Sequence, residues 1–197
     1  MVLNPEPHCV ELVYAGQSVA VTETATSFEN ERQKVEISLV KSIEQNERFG
    51  IGNNGEMKNI SFGLFAAEEI ESASGTSIPA DGLIEIISVN EDGTAKVKTD
   101  LPFGSYYVQE LATDSHYKLS DTKHPVTFGY ADQDTAVVKI ATNDGKAIEN
   151  DLIYGSVSGK KVDENGDSLG GALIGLFRTD DGEFTKENAL MTTVSAE

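Results

Sequence analysis

Gly104-Ser-Tyr-Tyr-Val-Gln-Glu110, within LPFGSYYVQELATDSHYKLSDTKHPVTF (residues 101–128), is the stretch whose reading decides the fold. A Pro-x-Gly turn launches a strand here. With a two-residue period, Tyr106, Val108 and Glu110 share one face. The two apolar members ask for a core, whereas a carboxyl in the same row needs a partner there. Two other stretches carry a similar misfit. Val35, Ile37 and Leu39 alternate with mostly polar neighbours, and Lys41 continues their row. Asn150 follows Ile148 on the inward row of a later strand.

The composition narrows the classes. The chain has 197 residues, enough for one to two domains. Its net charge of −18 argues against nucleic acid, whose phosphates would be repelled. Cys9 is the only cysteine, so no intrachain disulfide can form. No apolar run approaches the length of a membrane span, no secretory leader is visible, and no membrane contact is expected of this segment. No cofactor is expected. His8, His116 and His124 are too few and scattered for a zinc site. The stretch from Asp163 lacks the Gly and Glu of a calcium loop, having Ser168 and Ile174 at those positions. No metal is expected, and Asn165-Gly166 reads as a turn.

An internal repeat organises the rest. HCVELVYAGQSVAV from His8 aligns without a gap on HPVTFGYADQDTAV from His124. FEN ending at Asn30 matches IEN ending at Asn150, Lys41 falls on Lys161, and FGLF ending at Phe65 matches IGLF ending at Phe177. Residues 1–34 therefore read as the C-terminal strands of a preceding repeat. Residues 35–154 read as one complete repeat, and 155–197 as the N-terminal part of the next. A complete repeat of about 120 residues is a comfortable single domain. The strands expected in it are 35–41, the FGLF strand, LIEIISVN and TAKVKTD as a hairpin across an Asp-Gly turn, the Glu110 strand, one after His124, and AIENDLIY. The 67–82 stretch reads as a polar connection with one helical turn. About seven short strands at this spacing predict an all-β, immunoglobulin-like or prealbumin-like sandwich in a tandem repeat.

In a sandwich the first and last strands can lie side by side, which brings Lys41 and Asn150 together with Glu110 in an apolar interior. A lysine amine can attack an asparagine side-chain carbonyl, release ammonia and leave an amide between the strands. Burial disfavours the charged amine and the charged carboxylate alike, so the pair can share its proton and free the amine as a nucleophile. The protonated acid then serves the carbonyl and the departing nitrogen. The bland alternatives are an unreactive buried Lys–Glu pair and an asparagine ending a strand as a turn residue.

LPFGSYYVQELATDSHYKLSD resembles the L-P-x-G-x-Y-x-x-x-E strand of CnaB or SpaA-type domains of Gram-positive surface proteins and pilins. GSVSGKKVDENGDSLGGALIGLF resembles the opening of such a domain, and AIENDLIYGSVSG the junction between two of them. The resemblance implies an isopeptide-forming domain, with Lys41 and Asn150 as the linked residues and Glu110 as the catalytic acid. It implies Asn30 and Lys161 as the equivalent positions of the incomplete repeats. TDSHYKL departs from the family's usual Ala-Pro-x-Gly-Tyr after the glutamate.

The implied role is a structural stalk or shaft segment of a cell-wall-attached, extracellular adhesin or pilin. It is not an enzyme, beyond single-turnover self-cross-linking. Adjacent repeats are the expected partners, with host matrix protein or glycan engaged through another domain. The alternative is a ligand-binding adhesin or carbohydrate-binding module recognising its target through loops 45–59 and 67–82. Those loops lack an aromatic platform.

Overall fold

The structure, a computed structural model, describes residues 1–19, 24–71 and 75–196. Residues 20–23 of the first repeat copy, 72–74 of the 67–82 connection, and 197 lie outside the described residues. Two compact units are formed, residues 1–153 and 154–197.

The first unit is built from ten strands: β1 (Lys34–Ile43), β2 (Ser61–Ala66), β3 (Ile70–Glu71), β4 (Ser77–Ile78), β5 (Leu83–Ser88), β6 (Thr94–Lys96), β7 (Gly104–Ala112), β8 (His124–Phe128), β9 (Val137–Ala141) and β10 (Ile148–Asn150). One sheet has the order β5-β2-β7-β8, and the other places β1 between β6 and the pair β9 and β10. β9 and β10 both run parallel to β1. Ser38 pairs with Lys96 on one side and Ala141 on the other, so β9 and β10 share one edge of β1. They act as a single strand interrupted by a turn at Thr142–Gly145. Asn143 and Asp144 take φ values of 53° and 54° there. The buried Thr142 hydroxyl donates to the Ser38 carbonyl at 3.1 Å, fixing the interruption to β1. With that pair counted once, and the short β3–β4 pair set aside, the unit is the expected seven-stranded, prealbumin-like β-sandwich.

The two inner faces meet in one core. Phe62, Leu64, Tyr106, Val108, Val126 and Phe128 pack from one sheet, and Ile37, Leu39, Ala95 and Ile148 from the other. Each large apolar side chain removed from water contributes about 1.5–3 kcal/mol. Tyr107, on the opposite row of β7, is buried as well. It stacks on Phe65 at 5.0 Å between centroids, and the Lys123 ammonium lies 4.2 Å from its ring centre.

Two local expectations are corrected. LIEIISVN and TAKVKTD do not form a hairpin: β5 pairs with β2, and β6 pairs with β1. The chain turns the corner of the sandwich at Asn90–Gly93, because Ile87 and Ala95 bury against opposite sheets of the same core. Gly93 has φ +80°, its carbonyl accepts the Lys41 N–H at 2.7 Å, and a Cβ there would strike the Lys41 carbonyl. Among its described residues the 67–82 connection carries no helical turn but the two-residue pair β3–β4, which buries Ile70.

Residues 1–33 carry no strand among those described. The entry to β1 is instead fastened by Gln33, which is 1% exposed. Its amide donates to the Asp132 and Thr135 carbonyls and accepts from the Ala131 N–H.

The second unit holds the antiparallel pair β11 (Leu173–Leu176) and β12 (Met191–Val194). A bridge from Val162 to Ser168 spans the Asn165-Gly166 turn. A Cβ on Gly175 would run into the Phe177 ring, just as one on Gly63 would run into Phe65. The two glycines, each two residues before a phenylalanine, thus share the same local packing.

Candidate functional site

Lys41, Glu110 and Asn150 converge at one end of the core. Each is nearly withdrawn from solvent, at 2%, 4% and 2% exposure. The pairing of β1 with β10 sets Lys41 opposite Ile148 and Ile43 opposite Asn150. Side chains two residues apart share a face, so Lys41 and Asn150 are diagonal neighbours on the inner side of that sheet. Glu110 comes from β7 in the facing sheet, opposite Phe62 of β2.

The hydrogen bonds give the three groups distinct postures. The Lys41 Nζ donates to the carbonyls of Ser42 and Ile148, both at 2.9 Å, and lies 3.9 Å from Glu110 Oε1. The Asn150 Nδ2 donates to Glu110 at 2.9 Å (Oε1) and 3.1 Å (Oε2), and to the Thr113 hydroxyl at 2.8 Å. Glu110 Oε2 also accepts the Ser120 N–H at 2.9 Å. Asn150 Oδ1 has no hydrogen-bond partner, alone in this among the buried side-chain polar atoms described. An unpaired buried carbonyl costs about 1–3 kcal/mol, so Oδ1 is the unsatisfied half of an amide whose nitrogen is fully engaged.

Burial pushes the Lys41 ammonium down from 10.5 to about 8, against Glu110, Glu149 and Asp151, which favour its charged form. An ammonium has three hydrogens and an amine two. Two of them are already committed to the Ser42 and Ile148 carbonyls. Loss of the third leaves a lone pair on a nitrogen held beside the carboxyl and amide. The arrangement therefore contains a nucleophile, an acid–base group and an amide carbonyl, fixed in place and shielded from water.

A loop closes over this end. Tyr117 donates its hydroxyl to the Glu44 carbonyl at 2.9 Å, and the Glu44 carboxylate accepts the Leu152 N–H at 2.9 Å. Asp114 accepts from Asn59 Nδ2 and is bonded to the His116 ring, both at 2.6 Å. Thr113 and Ser120, the two ends of this loop, were not legible as site residues in the sequence. The one signal was that TDSHY departs from the related pattern at that point. Asn30 and Lys161 are both exposed. The Lys161 Nζ donates to the Val162 carbonyl at 2.8 Å, repeating the Lys41–Ser42 bond within the second unit.

The family described as SpaA: Prealbumin-like fold domain matches residues 49–146. Among solved structures, the chain is similar to the major pilin subunit of Bacillus cereus, with 20% identity over 60% of this chain and 29% of that one and a TM-score of 0.32. It is similar to GBS52, the minor pilin of Streptococcus agalactiae, with 16% identity, 66% and 49% coverage, and a TM-score of 0.39. It is also similar to the Bacillus anthracis TIE protein, with 14% identity, 85% and 27% coverage, and a TM-score of 0.43. The chain spans less than half the length of each. No curated protein matches it by sequence.

Proposed function

Residues 49–146 belong to the SpaA family of prealbumin-like domains, and from that premise we propose that the chain is a shaft segment of a Gram-positive surface protein or pilin, locked by a covalent bond between Lys41 and Asn150. The observation that carries the reading is the convergence of a lysine, a glutamate and an asparagine, each at most 4% exposed, on one apolar core. Stability alone does not call for such a trio, because a well-packed apolar replacement for a buried ion pair is often at least as stable.

The reaction follows from the postures. Glu110 takes the third proton of the Lys41 ammonium. The freed amine attacks Cγ of Asn150, forming the new N–C bond. The proton shed by the attacking nitrogen passes through Glu110 to Nδ2, the Cγ–Nδ2 bond breaks, and ammonia leaves. Nδ2 already lies against both carboxyl oxygens, so once attack makes that nitrogen pyramidal and frees its lone pair, the carboxyl is within reach to deliver the proton. Well-held reactants reach effective molarities of roughly 10⁵–10⁸ M, which substitutes for an external catalyst. The event occurs once per domain and turns over no substrate.

Residues 35–154 are then one complete module, 1–34 the closing part of a preceding one and 155–197 the opening of a following one. The matched Gly63–Phe65 and Gly175–Phe177 packing supports that division. Such a shaft belongs outside the cell, attached to the wall. Its neighbours are other modules of the same protein, and any host ligand is engaged elsewhere in the parent protein. Intact mass spectrometry tests the reading. The purified chain is expected about 17 Da below its sequence mass, one ammonia, and Glu110→Ala at its full mass. A wild-type chain of full sequence mass refutes the bond.

A further inference from the structure

We propose that Thr113 is a positioning residue for the cross-linking reaction, fixing the plane of the Asn150 amide so that a face of its carbonyl carbon is presented to attack. The inference rests on the reading above and goes one residue beyond it. Thr113 follows the last residue of β7, three positions after Glu110, where the family pattern has an alanine with no side-chain hydrogen-bonding group.

The geometry assigns the role. A primary amide has two N–H bonds, both in the amide plane. At Asn150 one faces the Glu110 carboxyl and the other the Thr113 hydroxyl at 2.8 Å. With Glu110 alone, the amide could swing about its last torsion, which is broad and soft for asparagine. With both, the plane is fixed, and so is the perpendicular direction along which the Lys41 nitrogen must approach Cγ. Oδ1 has no hydrogen bond that could do this orienting instead. Thr113 is itself held. The next residue, Asp114, is bonded to Asn59 and to both the backbone N–H and the ring of His116. This clamp stands where the family pattern has Pro-x-Gly. The departure from the family motif is thus a coherent replacement, in which side-chain hydrogen bonds fix the loop and the loop presents a hydroxyl to the amide.

Thr113 touches the leaving nitrogen through a hydrogen bond but exchanges no proton in the scheme. Its removal therefore slows the reaction without abolishing it. One lost hydrogen bond corresponds to about 3- to 10-fold in rate, and a displaced attack geometry extends that toward 100-fold. The experiment is a time course of the full-length chain made by cell-free synthesis. Samples are quenched in acidic denaturant, and the fraction that has lost ammonia is read by intact mass. Thr113→Val keeps the shape and removes the hydroxyl, and is expected to link at least about 3-fold more slowly. Thr113→Ser restores the hydroxyl and is expected to return to within about 2-fold of wild type. The same Val substitution placed in Glu110→Ala, which forms no bond, is expected to keep a single cooperative melting transition, lowered only by the few degrees that one unpaired buried N–H costs, separating positioning from a fold defect. If wild type loses ammonia and Thr113→Val does so at the same rate, the role of Thr113 is refuted while the cross-link stands. Failure of Ser to restore the rate also refutes it. If wild type never loses ammonia, the cross-link itself falls, and this inference with it.

Discussion

The most discriminating prediction is mechanical. Glu110→Gln preserves the shape of the side chain and an oxygen for the Asn150 amide, but it cannot take up the lysine proton. The variant should fold and remain unlinked. Lys41 and Asn150 are 109 residues apart in sequence, 150 minus 41. In the folded domain they sit on adjacent parallel strands, displaced by two residues, so their Cα atoms are about 8 Å apart. At roughly 3.4 Å per extended residue, the segment between them holds about 370 Å of contour length. In the linked protein a force applied through the ends of the chain passes from β1 to β10 across the new amide, and that segment is bypassed. Single-molecule force spectroscopy on the whole chain, held by handles at both termini, should therefore give a release of about 360 Å for Glu110→Gln. Wild type should show no event of that length. A wild-type trace with the same release as the variant would refute the reasoning, because no bond then spans the two strands.

Other consequences follow from the same geometry. Closing a loop of this length restricts the unfolded chain by about 4–5 kcal/mol. Glu110→Gln should therefore melt on the order of 15 °C below wild type, measured by calorimetry, and become sensitive to trypsin. The pH dependence has a definite sign. The active pair carries one shared proton, so transferring it from Lys41 to Glu110 leaves the total unchanged and the linking rate flat around neutrality. Above about 8, where the buried Lys41 loses its proton to solvent, the pair holds no proton when attack begins, and the amide carbonyl is attacked without a protonated acid beside it. The rate should then fall by up to about tenfold per pH unit. A rate that rises through pH 8 and levels off would mean that only the free amine matters. Gly93→Ala forces a side chain against the Lys41 carbonyl at a positive φ. It should cost about 1–3 kcal/mol in denaturant unfolding and slow linking by displacing the lysine.

The fold was legible wherever one face of a strand is buried. The two-residue rows of β1 and β7 announce themselves, and Lys41, Glu110 and Asn150 stand out because each is a polar member of an apolar row. What the sequence withheld was decided by contacts distant along the chain. The Glu91-Asp92-Gly93 turn has hairpin chemistry, but β1 takes β6 and β2 takes β5, so the two arms separate into different sheets. Tyr107 occupies the outward row and is buried all the same, covered by Phe65 and Lys123. Ile70, inside a polar connection, reaches the core through a strand pair of only two residues each. Thr113 looks like any loop threonine until the parallel pairing of β1 with β10 carries Asn150 beneath it.

The energetics of the site would give the proposed reaction its direction. A buried ammonium and carboxylate are costly to desolvate, and at 3.9 Å their attraction repays only part of that cost. The fold nevertheless encloses them between two well-packed sheets, beside an amide oxygen with no donor. In the proposed reaction the lysine nitrogen ends in a neutral amide, and the Asn150 Nδ2 departs as ammonia, which can leave for water. The charge that opposed burial is then gone, and the strands that had to be held together against it are joined. The unlinked domain should thus be least stable at the place where the linked one is strongest. A direct comparison would be amide hydrogen exchange in β10, with Glu110→Gln as the unlinked reference. Protection at Ile148 and Asn150 is expected to rise from among the lowest of the core strands in the variant to among the highest in wild type. Equal protection in the two proteins would show that enclosing the charged pair costs this end of the fold nothing, and that the drive to react comes from elsewhere.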